Sequence, residues 1–140
     1  MTGDEQAVDA VVRQLYAAID GLISGQGLGQ MAELWHQDDD VTSVHVSGDW
    51  AHGWDAVRVI WETFASIGVK EFGGLFVQSL VVRVRGDFAY TAAVLGHPMP
   101  GIDTMAGTDI LERRQGQWKL VHHHIDRSPK VIEAISQSSN

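Results

Sequence analysis

The apolar residues of this chain change their period once, close to residue 68, and that change limits the folds open to it. Val8, Val11, Val12, Leu15, Ile19, Leu22 and Ile23 recur at three- and four-residue steps, the face of an amphipathic helix over about residues 4–24. Ser24-Gly-Gln-Gly-Leu-Gly29 ends it, since glycine readily takes the left-handed conformation of a helix cap. Met31, Leu34 and Trp35 mark a short second helix that stops at the acidic run Asp38–Asp40. Gly53 precedes a third, with Val57, Ile60, Trp61, Phe64 and Ile67 on one face. Between the second and third helices, Val41–Val46 alternates as a strand, and Trp50–His52 pairs back on it. After the change, Leu75–Arg85 and Phe88–Leu95 flank Gly86-Asp87, a turn signal that suggests a hairpin. His97-Pro-Met-Pro-Gly101 breaks the chain, because proline cannot donate to a strand ladder. Thr104–Arg114 and Gln117–Ile125 form a last hairpin, and the tail Ser136–Asn140 is expected to fray. Three helices followed by an antiparallel meander is an α+β order. The expected architecture is one domain over residues 1–140, a cone-shaped α+β barrel with three N-terminal helices on a strongly curved mixed or antiparallel sheet.

The last hairpin carries the densest chemistry. Trp118-Lys-Leu-Val-His-His-His-Ile-Asp126 follows Gln115-Gly116. With a two-residue loop there, Arg114 faces Gln117, Glu112 faces Lys119, Leu111 faces Leu120 and Asp109 faces His122. Strict alternation puts Trp118, Leu120, His122 and His124 on one face. A carboxylate then lies beside an imidazole on a partly apolar surface. Lys119, Val121, His123 and Ile125 fall on the other face, too apolar to be left wholly to solvent.

Seven histidines and five tryptophans are many for 140 residues. Either they pack an ordinary core and dot its surface, or they wall a small-molecule pocket with a few polar groups. A formal net charge of −8 opposes a nucleic acid or an anionic membrane as partner, since both need clustered Lys and Arg. The chain has no cysteine, which suits a reducing cytoplasm. No apolar run approaches membrane-spanning length, and the acidic Met-Thr-Gly-Asp-Glu start is unlike a signal peptide.

Four segments, Tyr16-Ala-Ala-Ile-Asp20, Leu34-Trp35 with Asp39-Asp40-Val41-Thr42, Gly53-Trp54-Asp55-Ala56-Val57, and Gly116-Gln-Trp-Lys-Leu-Val-His122, occur in the order of a known superfamily. The chain resembles the nuclear-transport-factor-2-like superfamily, in particular its SnoaL-like and ketosteroid-isomerase-like group. Its His-x-His ending is also similar to the association domain of calcium/calmodulin-dependent kinase II. The resemblance implies a homodimer formed through the outer sheet face. It places the isomerase group's proton-abstracting aspartate on His45 and its second, hydrogen-bonding aspartate on Asp109. The helix-borne tyrosine of that group falls on Leu15, next to Tyr16, so steroid isomerisation itself is not implied.

Two orientations of His45 stand at this level. Local alternation groups Thr42, Val44 and Val46 as the apolar face and leaves His45 outside; the alignment turns it into the cavity. The expected site has His45, Asp109 and His122 as the acid–base set, with Tyr16, Trp35, Trp54, Trp61 and His124 binding substrate. His45, Asp109, His122 and His124 have the ligand chemistry for a metal, but without a third assured ligand no metal or other cofactor is assigned. The leading expectation is a cytoplasmic, cofactor-free enzyme that isomerises, cyclises or dehydrates a small hydrophobic carbonyl compound, as polyketide cyclases of this group do. The alternative is a non-catalytic module of the same fold that binds a ligand or assembles with a partner.

Overall fold

A capping box opens the first helix. Thr2 Oγ1 accepts from the Glu5 backbone N–H at 3.1 Å, and Glu5 accepts in return from the Thr2 N–H at 3.3 Å. The computed structural model describes residues 1–23, 25–67, 73–98 and 105–126. Helix α1 runs over Gly3–Ile23, α2 over Leu28–Glu33 and α3 over Trp54–Ile67. Strands β1 (Thr42–Val44), β2 (Trp50–His52), β3 (Phe76–Arg85), β4 (Phe88–Gly96), β5 (Met105–Arg114) and β6 (Gln117–Asp126) form one sheet. Residues 99–101 of the expected break at His97–Gly101, and the tail 136–140, lie outside the described residues.

The sheet order is β2-β1-β6-β5-β4-β3. All neighbours pair antiparallel except β1 and β6, which are parallel. The sheet is therefore mixed, and it stays open, with β2 and β3 at its edges. Both helical periodicities pack against its inner face. Val8, Val12, Leu15, Tyr16, Ile19 and Leu22 of α1 and Val57 and Trp61 of α3 are buried with Leu95, Leu111 and Leu120 of the strands. No helix among the described residues is long and apolar enough to cross a membrane.

Polar ties fix α1 on the sheet at both ends. Near its start, Arg113 binds Asp4 and Asp87 at 2.9 Å, and Trp118 Nε1 donates to Asp4 at 3.2 Å. Near its end, Asp20 Oδ1 accepts from the backbone N–H groups of Gly74 and Leu75 at 2.7 and 3.0 Å, which anchors the entry to β3.

The β5–β6 hairpin begins as the sequence implies. Gln115 and Gly116 both have positive φ (53° and 77°), as a two-residue loop of the mirror-image type requires. Arg114 faces Gln117, Glu112 faces Lys119 and Leu111 faces Leu120. Beyond Leu120 the register moves by one. Ile110 faces His122 and Asp109 faces His123, which leaves Val121 as the extra residue of a β-bulge. A bulge reverses which side chains point inward. Trp118 and Leu120 are buried on one side of it, and His123 and Ile125 on the other. The expected pairing of Asp109 with His122 is corrected accordingly, and so is the placing of His123 and Ile125 on the outer face.

Gly107 of β5 lets α1 approach closely. A Cβ built there stands 2.2 Å from the Tyr16 hydroxyl oxygen, well inside any real contact. Gly107→Ala is therefore expected to cost about 1–3 kcal/mol, the usual scale of overpacking. Tyr16→Phe costs a similar amount, about 1–3 kcal/mol, by leaving a buried acceptor short of a donor. The double variant should lose clearly less than the sum, because removing the hydroxyl also removes the closest part of the clash. Urea midpoints of the four proteins measure this, and strictly additive losses would contradict the contact.

Candidate functional site

The inner face below the bulge brings α1, β1, β5, β6 and α3 together around one carboxylate. Asp109 is fully buried. Its Oδ2 accepts from the Tyr16 hydroxyl at 2.6 Å, and its Oδ1 lies 2.6 Å from His123 Nδ1. Burial, followed by the charge of Asp109 beside it, pushes the Tyr16 phenol far above its usual range, so it remains a donor at any ordinary pH. With Asp109 ionised, its oxygens can only accept, so His123 Nδ1 donates to it. In the neutral ring this leaves His123 Nε2 as a lone-pair acceptor. It is buried and has no hydrogen-bond partner.

His45 stands across from this network. It is 4% exposed, and its ring centroid lies 5.7 Å from that of His123, 5.0 Å from Trp61 and 5.6 Å from Phe64. Inward-facing Val41 and Ser43 precede it at two-residue steps, so alternation runs through the odd positions of β1. Ser43 Oγ is 2.5 Å from His45 Nε2. Burial holds the His45 pKa down at about 4, reinforced by the neighbouring His123 and opposed by Asp49. The ring is neutral at pH 7.

A cavity of about 190 Å3 adjoins these rings. Its walls come from Ile19 and Ile23 of α1, Trp61 and Phe64 of α3, and Ile125 of β6, with His45 and His123 among them. Leu75, His97 and Met105, at or next to the ends of β3, β4 and β5, also line it. The accessible surface of this cavity is almost wholly carbon.

The remaining expected site residues fall elsewhere. His122 is on the outer face, where Nδ1 meets Thr42 Oγ1 at 2.7 Å; partial burial and the adjacent imidazoles lower its pKa. His124 is exposed on that same face, its ring 6.5 Å from that of His122. Both are removed from the cavity by the bulge. Tyr16 lies behind the cavity wall and bonds Asp109. Trp35 is buried between Trp54 and Trp61, with ring centroids 6.1 and 6.3 Å apart. Neither Trp35 nor the half-buried Trp54 lines the cavity, whereas Trp61 does. Leu15 is packed in the core; the tyrosine that reaches Asp109 is its neighbour, Tyr16.

Sequence reasoning missed His123, and the chain did carry a signal for it. Trp118 and Leu120 are even-numbered apolar positions while Ile125 is odd, so the apolar phase of β6 changes between them. That change marks a bulge. Among the described residues, no group of three or more His, Cys, Asp or Glu could hold a metal ion.

The sequence model of the SnoaL-like domain matches residues 8–126. The chain belongs to the SnoaL-like domain family. Solved structures agree on the fold of this SnoaL-like domain. A proposed calcium/calmodulin-dependent kinase II association domain from Thiobacillus denitrificans superposes with a TM-score of 0.70 at 21% identity, over 85% of this chain and 93% of that one. A proposed dehydratase of the NTF2-like family from Streptomyces avermitilis gives 0.68 at 21% identity, over 89% and 95% of the two chains. A proposed ketosteroid isomerase from Parabacteroides distasonis gives 0.66 at 16% identity, over 89% and 87%. At such identities the likeness establishes the fold alone. In sequence, the chain is 26% identical over 103 residues to the F-box protein SKIP8 of Arabidopsis thaliana. The match covers 74% of this chain and 43% of that protein, so the chain spans less than half the length of this relative.

The depressed His45 pKa predicts a pH dependence. On acidification the unfolded chain takes up its proton near the ordinary value of 6.5, while the folded one resists until about 4. Stability is therefore full above about pH 6.5 and falls as the pH drops toward 4, by up to roughly 3 kcal/mol at about 1.4 kcal/mol per unit. Urea midpoints between about pH 7.5 and pH 4.5 should fall less steeply in His45→Phe than in the parent. Parallel slopes would assign the acid sensitivity to other groups.

Proposed function

We propose that this SnoaL-like domain is a cofactor-free enzyme that binds a small hydrophobic carbonyl compound and moves a proton on the carbon next to the carbonyl. Isomerisation, cyclisation and dehydration of such compounds share this step. The observation that carries the reading is His123: Asp109 pins one ring nitrogen, and the other is buried beside an apolar cavity without a partner. A buried unpaired polar atom costs about 1–3 kcal/mol, so its retention favours a role that the fold alone does not supply.

In this proposal His123 Nε2 takes the proton, and the positive charge gained by the ring is met by Asp109. Tyr16 acts as a positioning residue that holds Asp109 in register. His45, kept neutral, offers a ring N–H to the oxygen on which negative charge develops. This reassigns the base role expected for His45, since a general base works best with a pKa near the working pH and that of His45 lies near 4. Because His123 Nε2 is covered, substrate entry must displace the rings packed around it. The almost wholly carbon surface of the cavity favours the second reading, a binding module without turnover.

One assay separates the two readings without a known substrate. Small ketones incubated with the protein in D2O are followed by proton NMR for loss of the signals next to the carbonyl. The enzyme reading expects exchange above the buffer rate, reduced roughly a hundredfold in His123→Gln while that variant remains folded. No exchange with any ketone tested leaves the binding module.

The outer face supports self-association. Val81, Phe88, Tyr90 and Val94 are exposed there, and register sets Tyr90 beside Ile110 and His122 in one row across the sheet. A homodimer through this face is part of the proposal. Light scattering at micromolar concentration should give twice the 15.3 kDa chain mass, and Tyr90→Glu with Val81→Lys should give the single mass. A parent protein that scatters as a single chain would end this part.

A further inference from the structure

The cavity beside His123 is small, apolar and, among the described residues, lined by no strong cation, and these three properties bear on what can enter it. Its volume of about 190 Å3 is below the roughly 300–1,000 Å3 of sites for drug-sized ligands. An apolar cavity of about 150 Å3 holds a benzene ring, so this one holds a single six-membered ring with a few substituent atoms. A fused polycycle exceeds the volume of the cavity as it stands. Among the described residues, no lysine or arginine lines it, and His45, His97 and His123 are the lining residues that could carry positive charge there. His45 resists protonation because it is buried. An ionised carboxylate moved onto such a surface would lose its hydration and meet no lysine or arginine among the described residues. Aromatic walls stand on one side, with Trp61 and Phe64 ring centroids 6.0 Å apart, and aliphatic Ile19, Ile23 and Ile125 on the others.

We infer that the ligand is a neutral monocyclic carbonyl compound of about cyclohexenone size, its ring against Trp61 and Phe64 and its single polar function toward His123 and His45. The carbonyl in this description rests on the acid–base reading above; ring size and neutrality rest on the cavity itself.

The test uses the full 140-residue chain and three probes: 2-cyclohexenone, benzoate and a steroid 3-ketone. Dissociation constants come from ligand-observed NMR titration, with thermal stabilisation as a second readout. Cyclohexenone is expected to bind at least about tenfold more tightly than either other probe, a margin of about 1.4 kcal/mol. Phe64→Ala enlarges the cavity and should shift preference toward the bicyclic ketone 1-tetralone by a similar factor; Met105→Ala serves if the first variant does not fold. Benzoate or the steroid binding as tightly as cyclohexenone overturns the inference, as does failure of all three to bind. Its failure is distinct from that of the acid–base reading. Selective cyclohexenone binding with no deuterium exchange sustains this inference and removes catalysis, whereas exchange on the steroid ketone alone does the reverse.

Discussion

Asp109 is the group on which this arrangement depends. A fully buried carboxylate is costly unless its oxygens are matched by donors, and here each oxygen has one at 2.6 Å. The donors come from sequence positions far apart, Tyr16 on α1 and His123 on β6. Meeting the needs of one side chain therefore fixes a helix against the sheet and two strands in register. The position of α1 in turn needs the missing side chain of Gly107, because the Tyr16 hydroxyl occupies the space a Cβ would take. Removing either donor leaves an unmatched buried acceptor, a larger penalty than an ordinary hydrogen bond contributes.

The same network fixes the ring of His123. Asp109 and Tyr16 orient His123, and the ring they orient borders a cavity whose other walls are mostly hydrocarbon. A dry surrounding strengthens every electrostatic interaction inside it, and the loss of hydration there keeps His45 neutral. The arrangement can hold a compact apolar molecule with or without turnover, and the fold hosts both kinds of protein. The covered His123 nitrogen is what inclines the interpretation toward chemistry.

The fold was legible because it is written in periodicities. Helical spacing before residue 68 and alternation after it identify three helices and a meander, since burying one face of each element is the dominant gain in folding. The turn at Gln115-Gly116 was legible too, and with it the pairs nearest the loop. Legibility ended at Val121. A single extra residue there exchanges the faces of His122 and His123, and strict alternation then points to the wrong imidazole. Residues adjacent in sequence, His122 bonded to Thr42 outside and His123 bonded to Asp109 inside, differ completely in surroundings.

The sequence by itself determined the element order, the α+β class and the presence of a carboxylate and several histidines near the last hairpin. Local pattern suffices for these, because each depends on residues a few positions apart. Only the tertiary structure decided which histidine meets Asp109, that Tyr16 rather than Leu15 reaches it, and that Trp35 packs in the core while Trp61 walls the cavity. These outcomes rest on contacts between distant segments, where one residue of register or one missing Cβ changes which atoms touch. Local alternation carries no record of such a contact until the strands that make it are paired.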